Sequence, residues 1–228
     1  MEILSRDEYT SGATILIDKP LTWTSFDVVK KLRHLLKVKK IGHAGTLDPL
    51  ATGLLILCTG KMTKQIESYQ AEEKEYQATF TIGKTTPSFD LETDFDSELD
   101  FSEVTNTMIT KAAKELTGAF MQTPPIYSAI KKDGIPSYKK ARRKENVTLE
   151  PRPVEIKVFE IMSVELPKVD VRIVCSKGTY IRSLAHDFGQ KLGVGAHLSQ
   201  LVRTRIGTYQ LNEAWQLDTF VDRINSQQ

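Results

Sequence analysis

The residues best placed to do chemistry lie in one string, Gly42-His43-Ala44-Gly45-Thr46-Leu47-Asp48-Pro49. Its two glycines allow positive φ or the close approach of another backbone. Pro49 restricts the backbone immediately after Asp48. The result is one carboxylate on a stiff turn between a basic stretch and an apolar one. Spacing alone leaves two readings open: a catalytic carboxylate, or a tight turn whose aspartate bonds its own backbone. Other chemical motifs fail. Gly83-Lys84-Thr85 resembles the end of a phosphate-binding loop, but Ala78 stands where the first glycine is needed and Pro87 opposes the helix required after it. Asp90, Glu92, Asp94 and Asp96 alternate as in a calcium loop, yet Phe95 occupies the obligatory glycine position. His34, His43, His186 and His197 show no metal-ligand spacing. Cys58 and Cys175 make neither a disulfide framework nor a zinc motif.

The elements that must position this turn belong to a globular chain. Of its 228 residues 40% are hydrophobic and 26% charged, which excludes disorder as the main state. No stretch approaches a membrane span, and the charged first residues lack a signal-peptide core, so the expected compartment is the cytoplasm. The net charge of +2 conceals a strong pattern. Residues 19–64 hold nine Lys/Arg against two Asp/Glu, while residues 65–110 hold two against eleven. Residues 131–153 hold eight against three, and residues 168–210 seven against two. Three basic blocks separated by acidic ones point towards a polyanion, nucleic acid above all.

Periodicity predicts a strand over 13–18. A helix then runs from Ser25 as N-cap, with Val28, Val29, Leu32, Leu35 and Leu36 inward and Lys30, Lys31, Arg33 and His34 outward. Residues 42–50 read as a loop, 53–58 as a buried strand or helical turn, 61–70 as a helix and 74–83 as a strand with Tyr76, Ala78, Phe80 and Ile82 on one face. A polar loop over 84–101 leads to a helix over 102–117, striped by Val104, Met108, Ala112 and Leu116 and stopped by Gly118. Residues 122–152 are rich in Pro, Lys and Arg, with a short helix around 135–144. Strands over 154–164 and 169–175, a helix over 179–192 with Ile181, Leu184, Ala185 and Phe188 inward, a strand over 202–210 and a helix over 213–224 complete an α+β pattern. No composition break marks a linker, so residues 1–228 read as a single domain.

The string at 42–49 and others in the same order closely resemble the TruB family of tRNA pseudouridine synthases. They include Lys19-Pro20, Thr24-Ser25, Lys39-Lys40, Thr63-Lys64, Lys74 and Tyr76. Gln122, Pro124-Pro125, Tyr127-Ser128-Ala129, Lys131 and Ala141-Arg142 come next, then the run from Cys175 to Leu184. Gly195-Ala196-His197-Leu198, Leu201, Arg203-Thr204 and Gly207 bring the resemblance to nearly the whole chain.

The resemblance implies a mixed, largely antiparallel central sheet flanked by helices, with an inserted basic RNA-gripping segment at about 124–152. It also implies an isomerase that converts uridine to pseudouridine at position 55 in the T-arm loop of tRNA, without cofactor or metal. Asp48 matches the catalytic aspartate, as nucleophile or as base at the sugar, and Arg182 the arginine that opposes its charge. Tyr76 matches the tyrosine against the target ring, which must be flipped out of its stack. Tyr180 and Leu201 match pocket residues, and His43 the histidine that fills the space left by the flipped base. Lys39, Lys40, Lys64, Lys131, Arg142 and Arg203 are expected on the RNA backbone, within the basic blocks of 30–40, 131–152 and 203–205. The expected partner is the tRNA T-arm, with no membrane, no obligate protein partner and a monomeric state. Relatives often carry a C-terminal PUA-type domain, and here the residues after Gly207 are too few for one. The segment Thr85–Asp90 departs from the family's Thr-Asp-rich loop, so no role transfers to it. Thr22 stands where glycine is common. Two other functions use the same basic surface: a tRNA-folding chaperone, and a synthase acting mainly on another RNA.

Overall fold

Side-chain periods of two and of three to four residues set the strands and helices. The computed structural model describes residues 3–132, 134–143, 145 and 147–226. The elements in order are α1 (Arg6–Ser11), β1 (Thr14–Lys19), α2 (Ser25–Leu36), β2 (Ile41–Ala44), β3 (Ala51–Thr59), α3 (Ile66–Ala71), β4 (Lys74–Ile82), β5 (Lys84–Thr85), β6 (Ser97–Glu98) and α4 (Asn106–Glu115). They continue with β7 (Gly118–Gln122), β8 (Lys131–Lys132), β9 (Ile135–Pro136), α5 (Ser137–Arg142), β10 (Arg152–Glu165), β11 (Lys168–Cys175), α6 (Ile181–Leu192), β12 (Ala196–Ile206), β13 (Tyr209–Gln210), β14 (Trp215–Gln216) and α7 (Leu217–Asn225). The class is α+β, with a mixed, largely antiparallel sheet. Among the described residues no helix is long and apolar enough to cross a membrane.

The chain forms two compact units, Met1–Gln77 with Leu201–Gln228, and Ala78–Gln200. In the first, β3 pairs antiparallel with β1 and β2, and parallel with β12, where Leu201 lies opposite Ala51 and Arg203 opposite Gly53. One face of these strands packs Ile15, Ile17, Leu55 and Leu57 against Val28, Leu32 and Leu36 of α2 and Phe220 of α7. The other gathers Leu16, Leu54, Ile56 and Cys58 with Met62 and Ile66. With both faces covered, β3 reads as a continuous apolar run rather than an alternation, which is why its sequence does not separate strand from helix. Gly53 adopts φ +102°, and a Cβ there would collide with the Arg203 carbonyl oxygen, so β12 can approach β3 only over a glycine. In the second unit β10 pairs antiparallel with β11 and β7. Phe80, Phe159 and Phe188 cluster at centroid distances of 5.6–6.0 Å.

Several boundaries differ from expectation. The N-cap of α2 is Thr24 rather than Ser25: Thr24 and Asp27 form a reciprocal capping box, which leaves the Ser25 hydroxyl for another task. Residues 42–44 belong to β2, because the string begins as an edge strand on β3. The first part of 61–70 is a 3-10 segment, Gly60–Gln65. Helix α4 starts later than expected, capped by Thr105, and buries Ile109 while Met108 stays exposed. Strand β7 occupies a segment whose first residue, a glycine, reads in sequence only as a helix stop. The last residues of the expected 135–144 helix fall at its edge, with 144 outside the described residues.

Candidate active site

Asp48 stands, half-buried, on the turn that joins β2 to β3. Each neighbour in that turn is held from another element. The Ser25 hydroxyl accepts from the Leu47 N–H at 2.9 Å and donates to the Leu47 carbonyl at 3.2 Å. The Thr22 N–H donates to the Pro49 carbonyl at 2.8 Å, and the Ala51 N–H to that of Asp48 at 3.1 Å. Two buried cations complete the clamp. Lys19, fully buried, donates from Nζ to the carbonyls of Pro20 (2.9 Å), Trp23 (2.6 Å) and Pro49 (3.5 Å). Arg203, 1% exposed, donates from Nε to Leu54 (2.8 Å) and from Nη2 to Gly45 (3.1 Å). A carboxylate carried on such a turn is preorganised, which matters because reacting groups must be aligned before the chemical step.

The two cations also shape the local field. Burial pushes the Lys19 ammonium down to about 8; the Asp48 carboxylate pulls it back up and Arg203 presses it further down. Burial lowers the Arg203 guanidinium as well, opposed by the Tyr76 hydroxyl with which it hydrogen-bonds. His43 is lowered by desolvation and then by Arg203, and its Nδ1 has no hydrogen-bond partner among the described residues. Asp48, Lys19, Arg203, Tyr76 and His43 thus form one electrostatic cluster in the first unit. Lys19 makes the stability of the fold depend on pH. In the unfolded chain its proton leaves at about 10.4, in the folded chain at about 8. Between these values the unfolded state binds more protons, so stability rises with pH. Urea unfolding from pH 7.5 to 10 should show the wild type gaining stability relative to Lys19→Met; a constant difference would mean that Lys19 does not titrate there.

Arg203 corrects one expectation: instead of meeting the RNA backbone, its guanidinium is spent on two carbonyls and a tyrosine inside the fold. Lys19 is a site residue that sequence reasoning missed; its signal is a lysine at the end of an apolar strand, immediately before proline. Leu201 lies in β12 opposite Ala51, and Tyr76 is nearly buried in β4. Lys39, Lys40 and Lys64 are exposed.

The second unit holds the arginine. Arg182, 3% exposed in the first turn of α6, pairs through Nε with Asp90 Oδ2 at 3.5 Å. It also donates to the carbonyls of Ser88 (3.3 Å) and Tyr127 (2.9 Å). Asp90 is itself 4% exposed, and its Oδ1 accepts from the Glu92 N–H at 2.9 Å. Asp90 lies in the 85–90 segment, to which the resemblance transfers no role, and it is the carboxylate that faces Arg182. Tyr180 caps α6, its N–H donating to Gln122 Oε1 (2.8 Å) and its carbonyl accepting from Gln122 Nε2 (3.1 Å). Lys131 is exposed. Arg142 is exposed too, ion-paired with Glu92 at 2.7 Å and lying over the Tyr138 ring.

Comparison with known proteins identifies the family to which the chain belongs. Residues 33–181 match the model of the TruB family pseudouridylate synthase N-terminal domain, and residues 182–228 that of the tRNA pseudouridylate synthase B C-terminal domain. The chain is 49% identical to tRNA pseudouridine synthase B of Flavobacterium johnsoniae, over 97% of this chain and 100% of that protein. It is 46% identical to the protein of the same name from Phocaeicola vulgatus, over 96% of each. Among solved structures, a chain of a Cbf5–Nop10–Gar1 complex superposes with a TM-score of 0.74 at 31% identity, covering 94% of this chain and 54% of that one. Another, from an H/ACA RNP bound to a substrate RNA containing 2'-deoxyuridine, gives 0.70 at 29% identity over 94% of this chain and 53% of that one. With two family models spanning residues 33–228 and close relatives matched along almost their whole length, the chain belongs to the TruB family of pseudouridylate synthases, which are isomerases.

Proposed function

We propose that this enzyme converts uridine to pseudouridine at position 55 in the T-arm loop of tRNA, with Asp48 as the group that acts at the ribose. The observation that carries the reading is the clamped Asp48 turn, in which Lys19, Ser25 and Arg203 hold one carboxylate inside a basic surround. In the reaction the N1–C1′ bond of the uridine breaks, the uracil turns, and a C5–C1′ bond forms. C5 loses its hydrogen to solvent and N1 ends protonated, so no redox partner or energy source is consumed. An ionised Asp48 serves as nucleophile or as base at the sugar. Tyr76, Tyr180 and Leu201 receive the flipped ring, and His43 occupies the place it vacates. Arg182, paired with Asp90, is the second charged member of the catalytic set. Lys39, Lys40, Lys64, Lys131 and Arg142 meet RNA phosphates, which position the substrate without specifying it. Arg142 must exchange Glu92 for a phosphate to do so. The names of the relatives support tRNA as the substrate, and the basic blocks support a polyanion.

Loss of the C5 hydrogen provides the test. Transcribed tRNA labelled with tritium at C5 of its uridines should release one tritium per RNA on incubation with the protein. Binding without release would favour the chaperone reading instead.

A further inference from the structure

A second feature of the first unit lies outside the Asp48 cluster. Helix α2 turns 100° per residue, so Asp27, Lys30, Lys31 and His34 share the arc opposite Leu32 and Leu36, which enter the core. With Thr22 and Trp23 they line a groove of about 500 Å³. Trp23 is half-buried: it packs against the core and also lines the groove. Its carbonyl is fixed by Lys19 Nζ at 2.6 Å, and Thr22 before it has φ +70°, so the backbone that carries the indole is held in place. Asp27, the groove's one acid, is engaged by the Thr24 N–H at 3.0 Å. Among the described residues Lys30, Lys31 and His34 form no salt bridge within 4 Å, although the Lys30 charge helps to lower the Asp27 carboxyl, and residues 30–40 contain six Lys/Arg and no Asp/Glu.

An aromatic wall beside unpaired cations is the arrangement that holds unpaired nucleic acid: the ring stacks on any base and the cations follow the phosphates. We propose that this groove binds an unpaired stretch of the substrate RNA, with one base against Trp23 and its phosphates on Lys30, Lys31 and His34. The inference rests on the reading of RNA as substrate. It adds a contact on the exposed arc of α2, separate from the pocket for the target uridine. An acidic peptide would satisfy the lysines but leave the indole face without a role.

The experiment uses whole transcribed tRNA and two variants of the full chain. Lys30→Glu/Lys31→Glu changes exposed side chains only. It should raise KM about tenfold or more near 0.1 M salt, and lower the slope of log affinity against log salt by roughly 1.4, from two lost single-strand contacts at about 0.7 each. Trp215→Phe leaves Trp23 as the sole tryptophan. Its emission should be quenched by tRNA, and this quenching should be lost when the lysine changes are added. If KM and slope stay at wild-type values, or if Trp23 emission ignores RNA that the enzyme still modifies, the groove proposal is overturned while the functional reading stands. If the wild type neither binds nor modifies the RNA, both are overturned.

Discussion

Asp48→Asn is expected to reduce turnover by at least about 10³-fold, equivalent to about 4 kcal/mol of transition-state stabilisation, while RNA affinity stays within a few-fold of wild type. The substitution keeps size and planarity, and it leaves the clamp on the turn intact. The bonds from Ser25, Thr22, Lys19 and Arg203 all reach backbone atoms of Gly45, Leu47 and Pro49, not the Asp48 side chain. The negative charge disappears, and with it both roles open to the carboxylate. An amide is neither a competent nucleophile at C1′ nor a base. Single-turnover kinetics with enzyme in excess separate the chemical step from binding. Turnover within tenfold of wild type, from protein of verified sequence, would remove Asp48 as the catalyst.

Arg182→Ala should show a different signature, loss of stability together with loss of activity. Arg182 and Asp90 are both nearly sealed from solvent. Removing one partner of a buried ion pair leaves the other as an uncompensated charge, which costs roughly 3–5 kcal/mol. The carbonyls of Ser88 and Tyr127 lose a donor as well. The segment carrying Asp90 and the one carrying Tyr127 are both tied to α6 through this side chain, so both should loosen. Urea unfolding of Arg182→Ala against wild type measures the effect. Arg182→Ala/Asp90→Ala should recover part of the stability and none of the activity. A single variant within 1 kcal/mol of wild type would show that the pair is not holding the unit together.

Much of the fold is legible in the sequence wherever one face of an element is wet. Helix α2 alternates exposed charge with buried Val and Leu, and strand β4 alternates nearly at period two, so their patterns are clear; α6 keeps an apolar stripe of Ile181, Leu184, Ala185 and Phe188 although most of its residues are buried. Strand β3 is covered on both faces and loses its alternation. Strand β7 has only five residues and starts on a glycine with φ +107°. Gly45 and Pro49 make the turn at Asp48 legible, while the role expected of its carboxylate comes from the family resemblance and not from the spacing. Arg203 is not legible, because charge along a sequence does not reveal burial: a side chain with the look of a phosphate ligand is a strut inside the fold. Lys19 is hidden for the same reason. Asp90 is obscured because it lies in a segment whose residues read as an acidic loop. There the hydroxyls of Thr86 and Ser88 both donate to the Asp90 carbonyl, fixing the carboxylate that faces Arg182.

Mapping the modification itself tests whether Asp48 makes pseudouridine at position 55. An unmodified tRNA transcript is incubated with the wild-type enzyme, treated with a carbodiimide that stays attached to pseudouridine, and digested for mass spectrometry. One labelled nucleotide is expected, at position 55 of the T-arm loop, present with wild type and absent with Asp48→Asn. Label at other uridines only, or an equal yield from the Asp48→Asn enzyme, would contradict it.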